Sequence, residues 1–149
     1  MHVFDKDKDN EIKTYAISSA KNGIGEKKNS FQTPRGKHII RAKIGHDMPA
    51  NTVFVDRRPT GEVYSDELWK KHPNRDRILT RIMWLSGTEV GKNRRGDVDT
   101  MQRYIYIHGA PDCAEMGKPG SHGCLRMHNH DIVELFDLVT AYTPIEIFE

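Results

Sequence analysis

The sequence predicts a single domain over residues 1–149 that is mainly β, a β-sandwich or bent mixed sheet with one or two short helices. Three observations support this fold class. Short runs of alternating apolar and polar residues recur along the chain, turn-forming residues separate these runs, and only two stretches have helical spacing. No internal repeat or low-complexity segment divides the chain, and its length is sufficient for one hydrophobic core.

The first half of the chain is predicted to consist of strands joined by turns. Its strand runs alternate apolar and polar side chains, and glycine-containing turns separate them. The predicted elements are a hairpin of residues 2–4 and 11–18 joined by a charged turn at 5–10, a loop at 20–32, a turn at Thr33-Pro34-Arg35-Gly36, and strands at 37–44 and 52–55.

The second half is predicted to contain both helices. Ser65 caps a helix over residues 65–72 that Pro73 ends, and Asn129 caps a second helix with an apolar stripe at i, i+3, i+4 and i+7. The other elements are a loop at 57–61, a strand at 78–85, a mobile loop near the functional site at 86–100, a strand at 103–108, a linking loop at 110–120 and a strand at 143–148.

The composition excludes some classes of protein. Lysine and arginine number 23 against 21 acidic residues, a net charge of +2, so charge gives no argument for a nucleic-acid partner. No apolar run approaches the roughly 18 residues that a membrane span requires. The segment from Met1 to Asp5 lacks the basic and apolar regions of a secretory signal. We therefore expect a cytoplasmic protein if Met1 is the natural start, and a periplasmic or cell-envelope protein if a leader has been trimmed.

The residues most suited to catalysis lie in two segments, Ile105-Tyr106-Ile107-His108-Gly109 and Ser121-His122-Gly123-Cys124-Leu125-Arg126-Met127. His108 ends an alternating run, on the face opposite to the isoleucines. Cys124 follows sixteen residues later. A cysteine thiolate, a histidine base and backbone amide donors are what acyl transfer through a thiol requires.

The neighbours of Cys124 favour a reactive thiol. In an extended segment His122 and Arg126 would share its face, and both can carry positive charge. Gly123 would let a substrate carbonyl approach the backbone N–H groups. A free cysteine is often only a small buried hydrophobe, but this polar and glycine-containing segment is not typical of a core strand.

Two metal-dependent alternatives are weaker. A zinc site could draw on the six cysteine and histidine residues His108, Cys113, His122, Cys124, His128 and His130. The chain has no closely spaced cysteine pair, which most structural zinc sites use. The triplet from His128 to His130 is too short to indicate a nuclease. We therefore expect neither a metal nor any other cofactor.

These motifs resemble the signature of the YkuD-type L,D-transpeptidases, and Thr33-Pro34-Arg35-Gly36 resembles a second stretch typical of that family. The resemblance extends over nearly the whole chain and implies a YkuD-like β fold. It also implies a cysteine-dependent acyl transferase of peptidoglycan stem tetrapeptides. The implied catalytic residues are Cys124 as nucleophile, His108 as general base, His122 as a helper and Gly123 in the oxyanion hole. The implied substrate-binding residues are Arg126, Ser121, Tyr106 and Gly109.

Two reactions and one non-enzymatic function stay open. Transfer of the acyl group to an amine would make the protein a transpeptidase, and transfer to water would make it an L,D-carboxypeptidase of peptidoglycan recycling. The alternative from another class is a peptidoglycan-binding module without chemistry. We favour an enzyme because Cys124 and His108 are both present.

Overall fold

The fold is described from a computed structural model, which covers residues 1–7, 10–73, 75 and 77–149. The turn expected at residues 5–10 lies partly outside the described residues, since positions 8 and 9 are not among them. Within these ranges, the elements in chain order are β1 (His2–Phe4), β2 (Glu11–Thr14), β3 (Gly36–Ile44), β4 (Thr52–Val55), β5 (Arg58–Val63), α1 (Asp66–Lys71), β6 (Ile78–Gly87), a 3-10 turn (Gly96–Val98), β7 (Tyr106–Ala110), β8 (Leu125–His128), α2 (Asn129–Leu138) and β9 (Pro144–Ile147).

The long strand β6 is the centre of a seven-stranded mixed sheet. It pairs antiparallel with β7 through residues 79–84. On its other edge it pairs with β3 and β4, which in turn pair with β9 and β5. The sheet ends beyond β7 in a parallel pair of β7 and β8. The predicted mainly β fold with a mixed sheet is confirmed, and β1 and β2 form a separate hairpin.

Alternation along the strands produces two hydrophobic clusters. Met83, Leu85 and Ile107 point to one face of the sheet and pack with the buried stripe of α2. Ile82 and Tyr106 point to the other face and pack with Phe54 of β4 in a smaller cluster that Cys124 touches. Burial of the apolar stripe of α2 fixes the helix against the sheet. The opposite face of the sheet is left for the functional site.

Several local predictions are confirmed. The Ser65 hydroxyl accepts a hydrogen bond from the amide of Leu68 at 3.2 Å, so it caps α1 as expected. The strands β3, β4 and β9 lie within one residue of their predicted positions at each end. No helix in the described part of the chain has the length and apolar character needed to cross a membrane.

Several predicted boundaries are wrong. The strand β2 ends at Thr14 and not at residue 18, and β6 continues to Gly87, two residues into the predicted loop. Residues 57–61 were expected to form a loop, but Arg58–Val63 is β5. The strand β5 lies at the edge of the sheet, where proline is tolerated. The strand expected from residue 103 begins at Tyr106, because Tyr104 has a left-handed backbone with φ of 57° that interrupts it.

The stability of this fold should depend on pH through His38. The ring is buried, donates from Nδ1 to the carbonyl of Gly36 at 2.8 Å and lies 3.0 Å from the Thr100 hydroxyl at Nε2. Burial lowers the pKa of His38 below its ordinary value of 6.5. Below pH 6.5 the unfolded chain therefore binds a proton at His38 that the folded chain does not bind. The free energy of unfolding then decreases as the pH falls below 6.5.

We therefore predict a decrease in the free energy of unfolding between pH 6.5 and 5, with a slope of at most about 1.4 kcal/mol per pH unit from this residue. Urea unfolding at several pH values measures it. The His38→Gln variant should be less stable at pH 7 but show a flatter pH dependence. An equal slope in both proteins would contradict the assignment.

Candidate active site

An open cleft of about 410 Å³ lies on the sheet face opposite α2. Six of the site residues expected from the sequence line it: Tyr106, His108, Ser121, His122, Cys124 and Arg126. The other two, Gly109 and Gly123, are buried and do not line it. Residues 86–100 were expected near the site, but none of them lines this cleft. Asn93 anchors that segment to the start of β3 instead, through the carbonyl oxygens of Arg35 and Lys37.

The parallel pairing of β7 and β8 places the thiol. Ile107 pairs with Leu125 and His108 with Arg126, so Cys124, just before β8, lies beside Tyr106. The amide N–H of Tyr106 donates to the Cys124 sulfur at 3.3 Å. The thiol lies 3.5 Å from the carbonyl oxygen of Tyr104, to which it can donate. An amide N–H directed at sulfur stabilises negative charge there.

The ring of His108 is held in one orientation. Only 3% of its surface is exposed, and its Nδ1 lies 2.7 Å from the carbonyl oxygen of Gly109. A carbonyl oxygen can only accept, so Nδ1 carries the hydrogen. In the neutral ring Nε2 then has the lone pair, which is the form that a general base requires.

The turn that carries Cys124 is tied together by two hydroxyl groups. The Ser121 hydroxyl accepts from the amide of Gly123 at 3.2 Å and donates to the carbonyl of Cys124. The buried Thr33 hydroxyl donates to the carbonyl of Gly123 at 3.0 Å. The threonine of the Thr33-Pro34-Arg35-Gly36 stretch therefore supports the cysteine turn, although the two are far apart in sequence.

Glycine is required at position 123. Its φ of 132° is a conformation that L side chains rarely adopt, and a Cβ atom there would lie 3.0 Å from Cδ1 of Ile105. The turn can therefore be this tight only with glycine before the cysteine.

A buried polar network supports Gly109 from behind. Asn129 accepts a hydrogen bond from the Thr80 hydroxyl and donates to the side chain of Asn51 at 2.7 Å. Thr80 has a φ of 70° in a β-bulge of β6, where pairing with β7 shifts register. A Cβ atom on Gly109 would lie 2.6 Å from Oδ1 of Asn129, so the network fits directly against the residue whose carbonyl orients His108.

The prediction that Asn129 caps α2 is therefore wrong. His128 is the N-cap residue, without a side-chain cap bond, and the Asn129 side chain points into the network. No local pattern distinguishes this role, because asparagine before an apolar stripe is equally typical of a cap.

Positive charge surrounds the cleft. Five arginines line it: Arg57, Arg75, Arg77, Arg103 and Arg126. The guanidinium group of Arg103 has a structural role, since it donates hydrogen bonds to oxygens of residues 25–32. Burial lowers its pKa from the ordinary value. On the rim, the exposed ring of Phe31 meets His122 edge to face at 6.1 Å.

The zinc alternative has no support in the described residues, which contain no group of three or more histidine, cysteine or acidic side chains placed to hold a metal ion. Cys113 is an exposed free thiol 3.9 Å from Nη1 of Arg77 and does not line the cleft.

Comparison with known proteins identifies the family. A family model for the L,D-transpeptidase catalytic domain, YkuD, matches residues 1–147. The chain belongs to the YkuD family of L,D-transpeptidase catalytic domains. The resemblance carried by the cysteine and histidine motifs is thus confirmed across the domain.

Compared with the family model, individual proteins match a shorter part of the chain or match it at low identity. The YkuD protein of Bacillus subtilis is 46% identical over 46 residues, which are 31% of this chain and 28% of that protein. An L,D-transpeptidase from Mycobacterium smegmatis has a TM-score of 0.55 at 18% identity, over 95% of this chain and 51% of that one. L,D-transpeptidase 3 from Mycobacterium tuberculosis has a TM-score of 0.52 at 16% identity, over 91% of this chain and 44% of that one. These structures share the YkuD fold, and this chain spans about half of their length or less.

The polar network behind His108 should be important for stability. We predict that Asn129→Leu lowers the free energy of unfolding by about 3 kcal/mol, because the buried Thr80 hydroxyl and Asn51 amide lose their partner. Urea unfolding measures this change. Asp137→Leu, on the exposed side of the same helix, is the matched control and should change stability little. Equal effects of the two substitutions would contradict a structural network.

Proposed function

We propose that this domain is a cysteine-dependent acyl transferase that acts on the L,D bond of peptidoglycan stem tetrapeptides. The observation that carries the proposal is the hydrogen bond from the Tyr106 amide to the Cys124 sulfur, in a cleft that His108 also lines. A thiol with a nearby donor and an oriented imidazole is the arrangement of nucleophilic catalysis. Membership of the YkuD family supports this reaction class.

In the first half of the reaction, Nε2 of His108 takes the proton of the Cys124 thiol. The thiolate attacks the carbonyl carbon of the third stem residue, and backbone N–H groups around Gly123 and Cys124 stabilise the oxyanion. In the resting structure the Gly123 amide is bonded to Ser121 at 3.2 Å, a long bond that a charged oxygen can replace. The His108 imidazolium then protonates the leaving nitrogen, D-alanine departs, and a thioester remains on Cys124.

In the second half, an acceptor amine attacks the thioester and His108 takes its proton, so that a new peptide bond forms and the thiol is restored. The same step with water gives a tripeptide, which is the carboxypeptidase reaction. We propose the amine as the acceptor in keeping with the family, and the products of the reaction distinguish the two.

The remaining predicted site residues take supporting roles in this proposal. Tyr106 supplies the amide at the sulfur, and Gly109 supplies the carbonyl that fixes the His108 tautomer. Ser121 holds the cysteine turn, while His122 and Arg126 face the cleft from either side of Cys124. Arg126 is available to a substrate carboxylate, with one hydrogen bond from Nη1 to the carbonyl of Gly120.

The decisive experiment is mass spectrometry of a disaccharide-tetrapeptide incubated with the protein, with and without a second stem peptide as acceptor. We expect loss of D-alanine and a cross-linked dimer from the wild type. Cys124→Ala should form no product, and Cys113→Ala, which removes the exposed thiol, should match the wild type. A tripeptide alone would establish water as the acceptor. Folded protein that yields no product would contradict the proposed substrate.

Thiol labelling tests the nucleophile without any substrate. We predict that iodoacetamide at neutral pH modifies Cys124 at least several-fold faster than the more exposed Cys113, because the Cys124 sulfur accepts from an amide and His108 lines the same cleft. Peptide mapping after timed quenching gives both rates. The variant His108→Gln should slow the labelling of Cys124 alone. Equal, slow labelling of both thiols would argue against an activated cysteine.

A further inference from the structure

In the turn between β4 and β5, Arg57 has a backbone conformation that is unusual for a bulky residue. Val55 pairs with Arg58, so Asp56 and Arg57 form a two-residue turn, and their φ angles are 48° and 65°. Two consecutive positive φ angles are typical of a type I′ turn, which favours glycine at its second position. A bulky side chain there has a strained backbone. The contacts of the Arg57 side chain must therefore offset that strain.

Those contacts hold the guanidinium group against the cleft wall. Its carbon lies 4.8 Å from the ring centre of Trp84 and 4.9 Å from that of Tyr104, and the two rings stack on each other at 6.1 Å. Nη1 donates to the hydroxyl of Tyr106 at 3.0 Å. Cation–π contacts and a directed hydrogen bond together restrict the group to one orientation.

The charge of Arg57 is not held in an ion pair within the described residues, although Asp56, which also lines the cleft, attracts it. By contrast, Arg75 in the same cleft is paired with Glu62. Its hydrogen-bond partner is a phenol, and burial raises the pKa of Tyr106, so that this hydroxyl stays uncharged at neutral pH. A rigid cation with unused N–H donors therefore faces the cleft.

Tyr106 connects this cation to the thiol. The residue that accepts its hydrogen bond, Tyr106, is also the one whose backbone N–H contacts the Cys124 sulfur. The length of the Tyr106 side chain therefore separates a ligand bound by Arg57 from the reacting centre.

We propose that Arg57 is a specificity-determining residue that binds a carboxylate of the acyl-donor peptide while the donor carbonyl lies at Cys124. This inference rests on the proposed function. A tetrapeptide donor has a carboxylate on its terminal D-alanine, and a second one where the third residue is a diamino dicarboxylic acid. The planar guanidinium fork matches either group with paired, charge-assisted hydrogen bonds.

The test measures binding without turnover, by calorimetry in the Cys124→Ala background. Three tetrapeptides are compared: one with both carboxylates free, one amidated at the terminal carboxyl group and one amidated at the third residue. Arg57→Gln should raise the Kd of the free donor about tenfold, the loss expected for a charged hydrogen-bonded contact. Amidation of the recognised carboxylate should raise the Kd about tenfold when Arg57 is present and leave it unchanged in Arg57→Gln. The peptide that shows this pattern identifies the carboxylate.

Two variants complete the test. Arg58→Gln removes the neighbouring exposed arginine, which does not line the cleft, and should leave the Kd unchanged. Arg57→Lys keeps the charge but not the fork, so it should retain part of the discrimination between acid and amide donors.

The outcomes distinguish a failure of this inference from a failure of the proposed function. If Arg57→Gln weakens acid and amide donors equally, or changes neither, this inference is overturned and the residue only supports the turn. If folded Cys124→Ala protein, checked by circular dichroism, binds no tetrapeptide, the proposed function itself fails.

Discussion

The site depends on the parallel pairing of β7 with β8. A parallel ladder brings equivalent ends of two strands side by side, so the start of β7 lies next to the turn that precedes β8. This pairing places the Cys124 sulfur at the Tyr106 amide and Arg126 opposite His108. Buried side chains from elsewhere in the chain support these two strands. Thr33 and Ser121 hold the turn before β8, and the network around Asn129 supports β7.

Two kinds of polar group surround the thiol, and they act differently. The buried hydroxyl and amide groups of Thr33, Thr80 and Asn129 have hydrogen-bond partners within the protein, and they set geometry. Arg57 and Arg126 face an open cleft, where their charge acts on whatever enters it. A net charge of only +2 hides this local excess, because acidic residues elsewhere cancel it. Composition alone therefore could not indicate a cleft lined by arginines.

The sequence predicted those features that depend on local chemistry. Ser65 followed by acidic residues specified a helix start, and the spacing of His108 and Cys124 placed both on one cleft. It failed where tertiary contacts override a local pattern. Pro59 and Gly61 favour a loop, yet an edge strand tolerates both. Asn129 could satisfy either a helix end or a buried network, and only the positions of Thr80 and Asn51, distant in sequence, decide between them. The role of Arg57 likewise requires three aromatic residues that the fold brings together.

The hydrogen bond between Thr33 and Gly123 joins residues that are 90 positions apart. Closing so long a loop costs more conformational entropy than a local contact does. The cysteine turn therefore has this support only once the intervening chain is ordered. A newly made or partly unfolded chain has its thiol but lacks the fixed turn around it, so the proposed acyl-transfer activity would report on completion of the whole fold.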